Sequence, residues 1–119
     1  MLDNGYMAFT VMARYLKGGI QDMIKDYWVY QKRQSETTQW ALYIVKKFTK
    51  SKPETVILDF TVYSEDIPNS ANSKSFVGWH YDTARGYTDA ITAEMSEYTG
   101  ITNEDYEQIE IAITRILQD

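Results

Sequence analysis

The chain has 119 residues, 44% of them hydrophobic and 24% charged, which is typical of one globular domain spanning residues 1–119 and excludes a wholly disordered chain. It contains no cysteine, which excludes disulfides, thiolate metal sites and a cysteine nucleophile. Asp3 stands where a secretory leader carries basic residues, and the apolar run 6–13 is too short to span a membrane. We therefore predict a cytoplasmic protein that does not enter a membrane.

Charge divides the chain into two halves. Residues 1–52 contain nine Lys or Arg and four acids, whereas residues 53–119 contain three Lys or Arg and thirteen acids. Such asymmetry has two main interpretations: the halves face each other and neutralise in the fold, or the acidic half presents its charge to a basic partner. A third interpretation is that the basic half meets nucleic acid.

The first predicted element is a helix from Ala8 to about Tyr27, because apolar residues recur at steps of three and four. Gly18-Gly19 interrupts this pattern at a cost of about 1 kcal/mol per glycine relative to alanine. A break into two shorter helices is therefore expected there. The apolar positions of the segment are Phe9, Met12, Tyr15, Leu16, Ile20, Met23, Ile24 and Tyr27.

Strands are predicted to follow the helix. Residues 26–33 are rich in aromatic and β-branched side chains, which favour a strand, and the polar residues 34–38 indicate a turn. Residues 65–74 are dense in Asn, Ser and Pro and predict a loop. Residues 75–81 then predict a further strand.

A hairpin is predicted between these elements. Residues 39–48 alternate in polarity as a strand does, but they also fit a helix over 35–50 capped by Ser35. Residues 55–64 show the clearest alternation of the chain. We favour two strands, because pairing them around a polar loop that contains Pro53 buries both apolar faces together.

Two helices are predicted at the end of the chain. Thr83 caps the first and Gly100 ends it as a C-cap glycine, while Asn103 caps the second. Their apolar stripes are Tyr87, Ile91, Met95 and Tyr98, and then Tyr106, Ile109, Ala112, Ile113, Ile116 and Leu117. Strands grouped between helices predict an α+β fold, with an N-terminal helix, a three- to four-stranded antiparallel sheet and two C-terminal helices.

Catalytic, metal and cofactor motifs do not emerge from the sequence. His80 is the only histidine, and although Asp82 could pair with it as an acid–base unit, no nucleophile is identifiable beside them. The carboxylate pairs of the helices lie off the apolar stripes and lack calcium-loop spacing. Lys17-Gly18-Gly19 lacks the P-loop spacing. We predict a protein that is not an enzyme and binds no cofactor or metal.

The acidic helices support the predicted function, which is protein binding. Acids steer association with a basic surface, and aromatic side chains anchor it, so we predict a module that docks on a basic surface of another protein. The predicted partner-binding residues are Glu94, Glu97, Glu104, Asp105, Glu107, Glu110, Tyr87, Tyr98 and Tyr106. In size and acidity the chain resembles phage-encoded inhibitors of host defence nucleases, including anti-restriction and anti-CRISPR proteins, and toxin-neutralising immunity proteins. This resemblance implies an inhibitor of a basic, nucleic-acid-handling partner, such as an anti-defence protein, a DNA mimic or an immunity protein.

The basic half leaves an alternative open, a nucleic-acid-binding accessory protein in which Trp28, Tyr30 and Trp40 stack on bases. Its basic residues would be Lys32, Arg33, Lys46, Lys47, Lys50 and Lys52. The net charge of −5 opposes this reading, because an acidic chain repels a polyanion. The ten tyrosines also allow a homodimer through a Tyr-rich surface.

Overall fold

The computed structural model describes residues 6–15, 23–34, 37–48, 56–67 and 72–119. Five strands come first and two helices follow, so the fold is α+β, with an antiparallel sheet and two C-terminal helices as predicted. The strands are β1 Tyr6–Tyr15, β2 Met23–Gln34, β3 Thr37–Phe48, β4 Val56–Ser64 and β5 Ser73–Trp79. The helices are α1 Ala84–Met95 and α2 Asn103–Gln118.

The sheet is a meander in which every strand pairs antiparallel with its neighbour in sequence, in the order β1-β2-β3-β4-β5. The favoured hairpin is confirmed, since β3 and β4 pair in unbroken register from Trp40 opposite Ser64 to Phe48 opposite Val56. Residues 37–48 are therefore a strand and not the alternative helix. Pairing between β2 and β3 shifts by one residue at Val29, which forms a bulge.

The predicted N-terminal helix is wrong, because residues 6–15 and 23–34 form β1 and β2, with Tyr15 opposite Met23. Steps of three and four do not separate helix from strand in short apolar runs. These two runs are rich in aromatic and β-branched residues, which suit a pleated sheet better. The sheet consequently has five strands instead of three or four, and the break predicted at Gly18-Gly19 lies outside the described residues.

One face of the sheet, which we call the inner face, packs on both helices and forms the core. Period-two alternation places every second side chain of a strand on this face, and burying each large apolar side chain contributes about 1.5–3 kcal/mol. The buried residues of the strands are Tyr27, Val29, Trp40, Leu42, Ile44, Leu58, Phe60, Val62 and Phe76. They pack with Tyr87, Ile91, Met95, Ile109, Ala112, Ile113 and Ile116 of the helices.

Thr83 caps α1 as predicted, with its side chain accepting from the Gly86 N–H. Gly100 does not end this helix, which stops at Met95 with Ser96 as C-cap. The Ser96 hydroxyl bonds the Thr92 carbonyl at 2.7 Å, so a side chain satisfies a last-turn carbonyl where a glycine motif was expected.

The cap of α2 is also one residue from the predicted position, because Thr102 and not Asn103 is the N-cap. Thr102 Oγ1 accepts from the Asp105 N–H at 3.1 Å, and the Asp105 carboxylate accepts from the Thr102 N–H at 3.0 Å. This reciprocal pair is a capping box. It fixes the start of α2 on the inner face.

Helix α2 runs antiparallel to β2. Lys32 near the end of β2 pairs with Asp105 in the first turn of α2 at 2.8 Å, and Lys25 near the start pairs with Asp119 at 3.3 Å. The strand from Lys25 to Lys32 spans about 23 Å at 3.3 Å per residue, and the chain from Asp105 to Asp119 spans about 21 Å at 1.5 Å per residue. The two elements match in length, so an ion pair can form at each end.

Candidate functional site

Lys46 is the most buried cation of the described residues, with 3% of its surface exposed. It pairs across the sheet with Leu58 and therefore points to the inner face with the core side chains. Its ammonium donates to the backbone oxygens of Ile116 at 2.7 Å and Asp119 at 2.9 Å. These oxygens stand at the negative end of the α2 dipole, so the cation stabilises the end of the helix.

Asp119 receives a second contact from the sheet beside Lys25. The hydroxyl of Tyr27, a fully buried residue, donates to the Asp119 carboxylate at 2.6 Å. That hydrogen bond is the main cause that holds the pKa of Asp119 below its usual value. Burial, and then the same hydrogen bond, raise the pKa of Tyr27 far above its usual value. The basic half of the sheet and the end of α2 thus neutralise each other here.

The predicted partner-binding residues do not share one environment. The exposed members are Glu97, Glu104 and Glu107, the partly buried members are Glu94, Glu110, Tyr98 and Tyr106, and the buried members are Asp105 and Tyr87. Seven of the nine are therefore at least partly exposed, whereas Asp105 and Tyr87 are buried and contact other parts of the chain.

Asp105 cannot contact a partner, because its side chain is 1% exposed. Its carboxylate is held by the capping box with Thr102 and by the ion pair with Lys32. Asp105 was predicted as a partner-binding residue, but its carboxylate belongs to the cap of α2 and to the interior. The sequence carried the signal, since Thr102-x-x-Asp105 has capping-box spacing.

Tyr87 is likewise 1% exposed and belongs to the core. Its hydroxyl donates to the Val56 carbonyl at 3.1 Å, and its ring stands edge-on to Tyr81 with centroids 5.3 Å apart. Burial raises the pKa of Tyr87. Its position on the apolar stripe with Ile91 and Met95 indicated this location, so Tyr87 is not a surface anchor.

A polar groove of about 550 Å³ lies between α1 and α2. Tyr106 lies in it and donates a hydrogen bond to the Asp89 carboxylate, which raises the pKa of the tyrosine. The lining residues are Arg85, Asp89, Asn103, Tyr106, Glu107 and Glu110. The groove therefore brings together three predicted partner-binding residues, Tyr106, Glu107 and Glu110, whereas Glu94, Glu97 and Tyr98 belong to the far end of α1 and the turn after it.

A second cavity, of about 450 Å³, lies where the β4 end meets the α1–α2 turn. Its lining contains both acidic and basic side chains, namely Glu65, Asp66 and Lys32. Lys32 also forms the ion pair with Asp105. The lining residues are Lys32, Gln39, Trp40, Glu65, Asp66, Thr99, Gly100, Ile101 and Thr102. Sequence patterns gave no indication of this cavity, since it is formed by segments distant along the chain.

The basic residues of the alternative, nucleic-acid interpretation are scattered. Lys32 and Lys46 lie on the inner face and contact α2, whereas Lys47 lies on the opposite face and pairs with Asp59 at 2.6 Å. Trp40 is 2% exposed and belongs to the core. Lys50, Lys52 and the side chains of Tyr30 and Arg33 are outside the part of the chain that the structure describes.

The face of the sheet opposite the helices, which we call the outer face, carries an aromatic cluster. Trp28 stands 4.9 Å from Tyr43 and 5.4 Å from Tyr63, measured between ring centroids. Alternation along β3 and β4 places both tyrosines on the solvent side, which was a readable signal. Their contact with Trp28 was missed, because it depends on the pairing of three strands.

His80 and Asp82 form no catalytic pair. The imidazole Nε2 and a carboxylate oxygen are 4.0 Å apart, and the Asp82 side chain is 99% exposed. His80 Nδ1 lies 2.7 Å from the Val56 carbonyl oxygen, and since a carbonyl only accepts, the histidine donates there. The ring therefore joins the segment after β5 to the start of β4.

Comparison of the chain with protein-family models, with curated proteins and with solved structures finds no match. Neither helix, over the residues that the structure describes, is long and apolar enough to cross a membrane. Within the same residues, no three His, Cys, Asp or Glu side chains are grouped so as to hold a metal ion. The function is therefore argued from the surfaces of the molecule.

Proposed function

We propose that the chain is a small protein-binding module, not an enzyme, whose acidic helical surface docks on a basic partner. The acidic helical surface is defined as Glu94, Glu97, Glu104, Glu107 and Glu110 with Tyr98 and Tyr106. The observation that supports the proposal most is the distribution of charge between the interior and the surface.

Three of the four first-half cations whose side chains the structure describes contact α2 or the residue after it. Lys46 is buried on the end of α2, and Lys25 and Lys32 are committed to carboxylates of that helix and the residue after it. Among the side chains that the structure describes, the exposed bases are Lys74, Arg85 and Arg115, together with Lys47, whose side chain is 44% exposed beside Asp59. The exposed acids are Glu65, Asp66, Asp82, Asp89, Glu97, Glu104, Glu107 and Asp119. The exposed acids of the described residues therefore outnumber their exposed bases by eight to four.

Tyr106 supplies an aromatic anchor within this acidic surface. Its ring is partly exposed in the groove between α1 and α2, and its hydrogen bond to Asp89 fixes its orientation. A tyrosine held in one rotamer loses little conformational entropy when a partner covers it. Glu107 and Glu110 line the same groove and would attract a lysine or arginine of the partner.

A nucleic-acid-handling protein is the partner that suits such a surface. Its binding site is basic because it must neutralise phosphates, and the same charge attracts a row of carboxylates. Glu104, Glu107 and Glu110 recur every three residues, about 4.5 Å apart along the axis of α2. The role would be that of an inhibitor, such as the phage anti-defence or immunity proteins that the chain resembles in size and acidity.

Nucleic-acid binding by the basic half has less support. Lys32 and Lys46 would have to leave their contacts with α2 before they could reach a phosphate. Lys47 is the described lysine on the outer face near Trp28, and it is already paired with Asp59. We therefore favour the acidic surface.

The test compares two charge reversals of equal size. The partner is first captured from an extract of the native host and identified by mass spectrometry, and binding of the purified pair is then measured by titration calorimetry. Glu104→Lys combined with Glu107→Lys should weaken binding by about tenfold or more, the equivalent of roughly 1.4 kcal/mol. The control combines Glu65→Lys with Asp82→Lys, two exposed acids outside both helices.

Wild-type affinity should also fall as salt rises, because the attraction is between charges near the surface. Equal affinity of the two double variants, with both folded by circular dichroism, would contradict the proposal. Retention of DNA or RNA by the purified chain at low salt, lost on Lys47→Gln, would instead favour the nucleic-acid interpretation.

A further inference from the structure

The outer face of the sheet presents a cluster of aromatic side chains to solvent. We call Trp28, Tyr43 and Tyr63 the aromatic patch. Trp28 is 44% exposed and Tyr63 is 38% exposed, while Val77 at the β5 edge is 68% exposed. Both helices pack on the inner face, so neither of the described helices covers these side chains. Large exposed aromatic groups clustered in this way mark an interaction surface.

Strand pairing builds the aromatic patch. Trp28 lies opposite Tyr43 on the neighbouring strand, and its indole also reaches Tyr63 on β4, one strand further away. The residue opposite Tyr63 on β3 is Ala41, whose small side chain leaves space for the two larger rings to meet above it. Rings fixed by a sheet and by one another lose little entropy on binding.

The described charged groups around the patch are paired or buried, since Asp26, which also lies on the outer face opposite Val45, is 4% exposed. Lys47 and Asp59 form an ion pair, and the second carboxylate oxygen of Asp59 accepts from the Gly78 N–H at 2.7 Å. Thr61 and Ser75 bond one another through their hydroxyls at 3.1 Å. Over the residues that the structure describes, the outer face thus presents little net charge to solvent, in a chain whose net charge is −5.

We propose that two copies of the chain associate through this face, sheet against sheet, with the aromatic patch at the centre. Two acidic molecules repel each other over most of their surfaces, and the outer face is where that repulsion is least. A polyanion would need free cations on this face, and a basic partner is better matched by the acidic helices. A second copy is therefore the occupant that the charges favour.

The available area suits a weak dimer. Four strands about 4.8 Å apart, each contributing roughly eight residues of 3.3 Å, present about 500 Å² per copy. The pair would bury about 1,000 Å², which is at the lower limit of a specific interface. Sheets that pack face to face lie about 10 Å apart. We expect a dissociation constant in the micromolar range.

Sedimentation velocity between about 1 and 500 μM tests the proposal, with micromolar dimerisation expected for the wild type. Trp28→Lys combined with Tyr63→Lys should weaken association by tenfold or more. The matched control is Ile111→Lys, since Ile111 is 50% exposed but stands on α2. Dimerisation should persist at high salt, which distinguishes it from docking through the acidic helical surface.

A second measurement does not depend on the fold tolerating two lysines. The chain has no cysteine, so Val77→Cys and Ile111→Cys each accept a single spin label. The dimer predicts a shorter intermolecular distance for the label at 77 than for the label at 111. A monomer at all concentrations, an equal effect of Ile111→Lys, or a shorter distance at 111 would each overturn the proposal. So would a monomer whose Trp28 fluorescence responds to an oligonucleotide or an oligosaccharide.

Discussion

The buried lysine at the end of α2 gives the sharpest test of how this fold is held together. Lys46 and Lys47 are adjacent in sequence, but alternation along β3 directs them to opposite faces of the sheet. Lys46 is buried on the backbone oxygens of Ile116 and Asp119, whereas the Lys47 side chain is 44% exposed beside Asp59. Replacement of each by methionine keeps most of the apolar stem and removes the ammonium group, with its charge and its hydrogen bonds.

The expected costs differ severalfold. Lys46→Met removes two hydrogen bonds from a charged donor, after which the Ile116 carbonyl keeps the 3.3 Å bond from the Asp119 N–H. A bond to a charged group contributes about 1.5–3 kcal/mol. Methionine avoids the desolvation of the ammonium, which offsets part of this loss. We expect a net loss of about 2–4 kcal/mol for Lys46→Met, and of about 0–1 kcal/mol for Lys47→Met, an exposed ion pair.

Urea denaturation followed by circular dichroism measures both variants. With a slope of about 1–3 kcal/mol per molar urea, the midpoint of Lys46→Met should fall by roughly 1–2 M, and that of Lys47→Met by less than about 0.5 M. Amide exchange in the last turn of α2 should accelerate only in Lys46→Met. Equal midpoints for the two variants, or a Lys46→Met protein as stable as the wild type, would refute the role assigned to Lys46.

Tyr27→Phe should change the dependence of stability on pH at both ends. The folded pKa of Tyr27 is raised above its ordinary value of 10.0, so its stabilisation is complete below that pH and is lost as the pH rises beyond it, by about 1.4 kcal/mol per pH unit for one proton. Asp119 has a lowered folded pKa, so the stability that it contributes is lost as the pH falls through that pKa. Denaturation curves from pH 2 to 11 should show that the loss of stability at high pH and the loss at low pH are both smaller in Tyr27→Phe than in the wild type. Thr102→Ala removes one half of the capping box and should lower stability by about 1 kcal/mol, whereas Asn103→Ala should cost less; an equal cost would contradict the assignment of Thr102 as N-cap.

Elements with one dominant pattern could be predicted from sequence. The alternation over residues 55–64 has no competing helical interpretation, and it became β4. The apolar stripe from Ile109 to Ile116 became the buried face of α2. In both, the local preference and the burial direction agree, so no distant contact had to be known.

The N-terminal strands could not be predicted in the same way. The apolar spacing of residues 6–15 fits two periods, and the pairing with β2 that decides between them is not visible in a single segment. The bulge at Val29 poses a related problem for the outer face, since it sets which β2 side chains face Tyr43. The aromatic patch therefore emerges only from the assembled sheet.

The candidate site was predicted by residue type more than by location. An acid at the start of a helix serves equally well as a surface charge or as half of a capping box, and Asp105 is the latter. Glu104 and Glu107, on the same helix, remain exposed. Composition indicated an acidic surface, but it could not show that Lys46 is buried on α2 or that Lys32 and Asp105 form an ion pair away from that surface.

The contacts of α2 with the sheet also impose an order on synthesis. Lys25, Lys32 and Lys46 meet groups that follow them in the chain by 94, 73 and 70 residues. A nascent chain can therefore form its meander of strands well before α2 leaves the ribosome, with Lys46 on an inner face that is still open to water. Emergence of α2 then covers that face, so the open sheet is the species most exposed to aggregation.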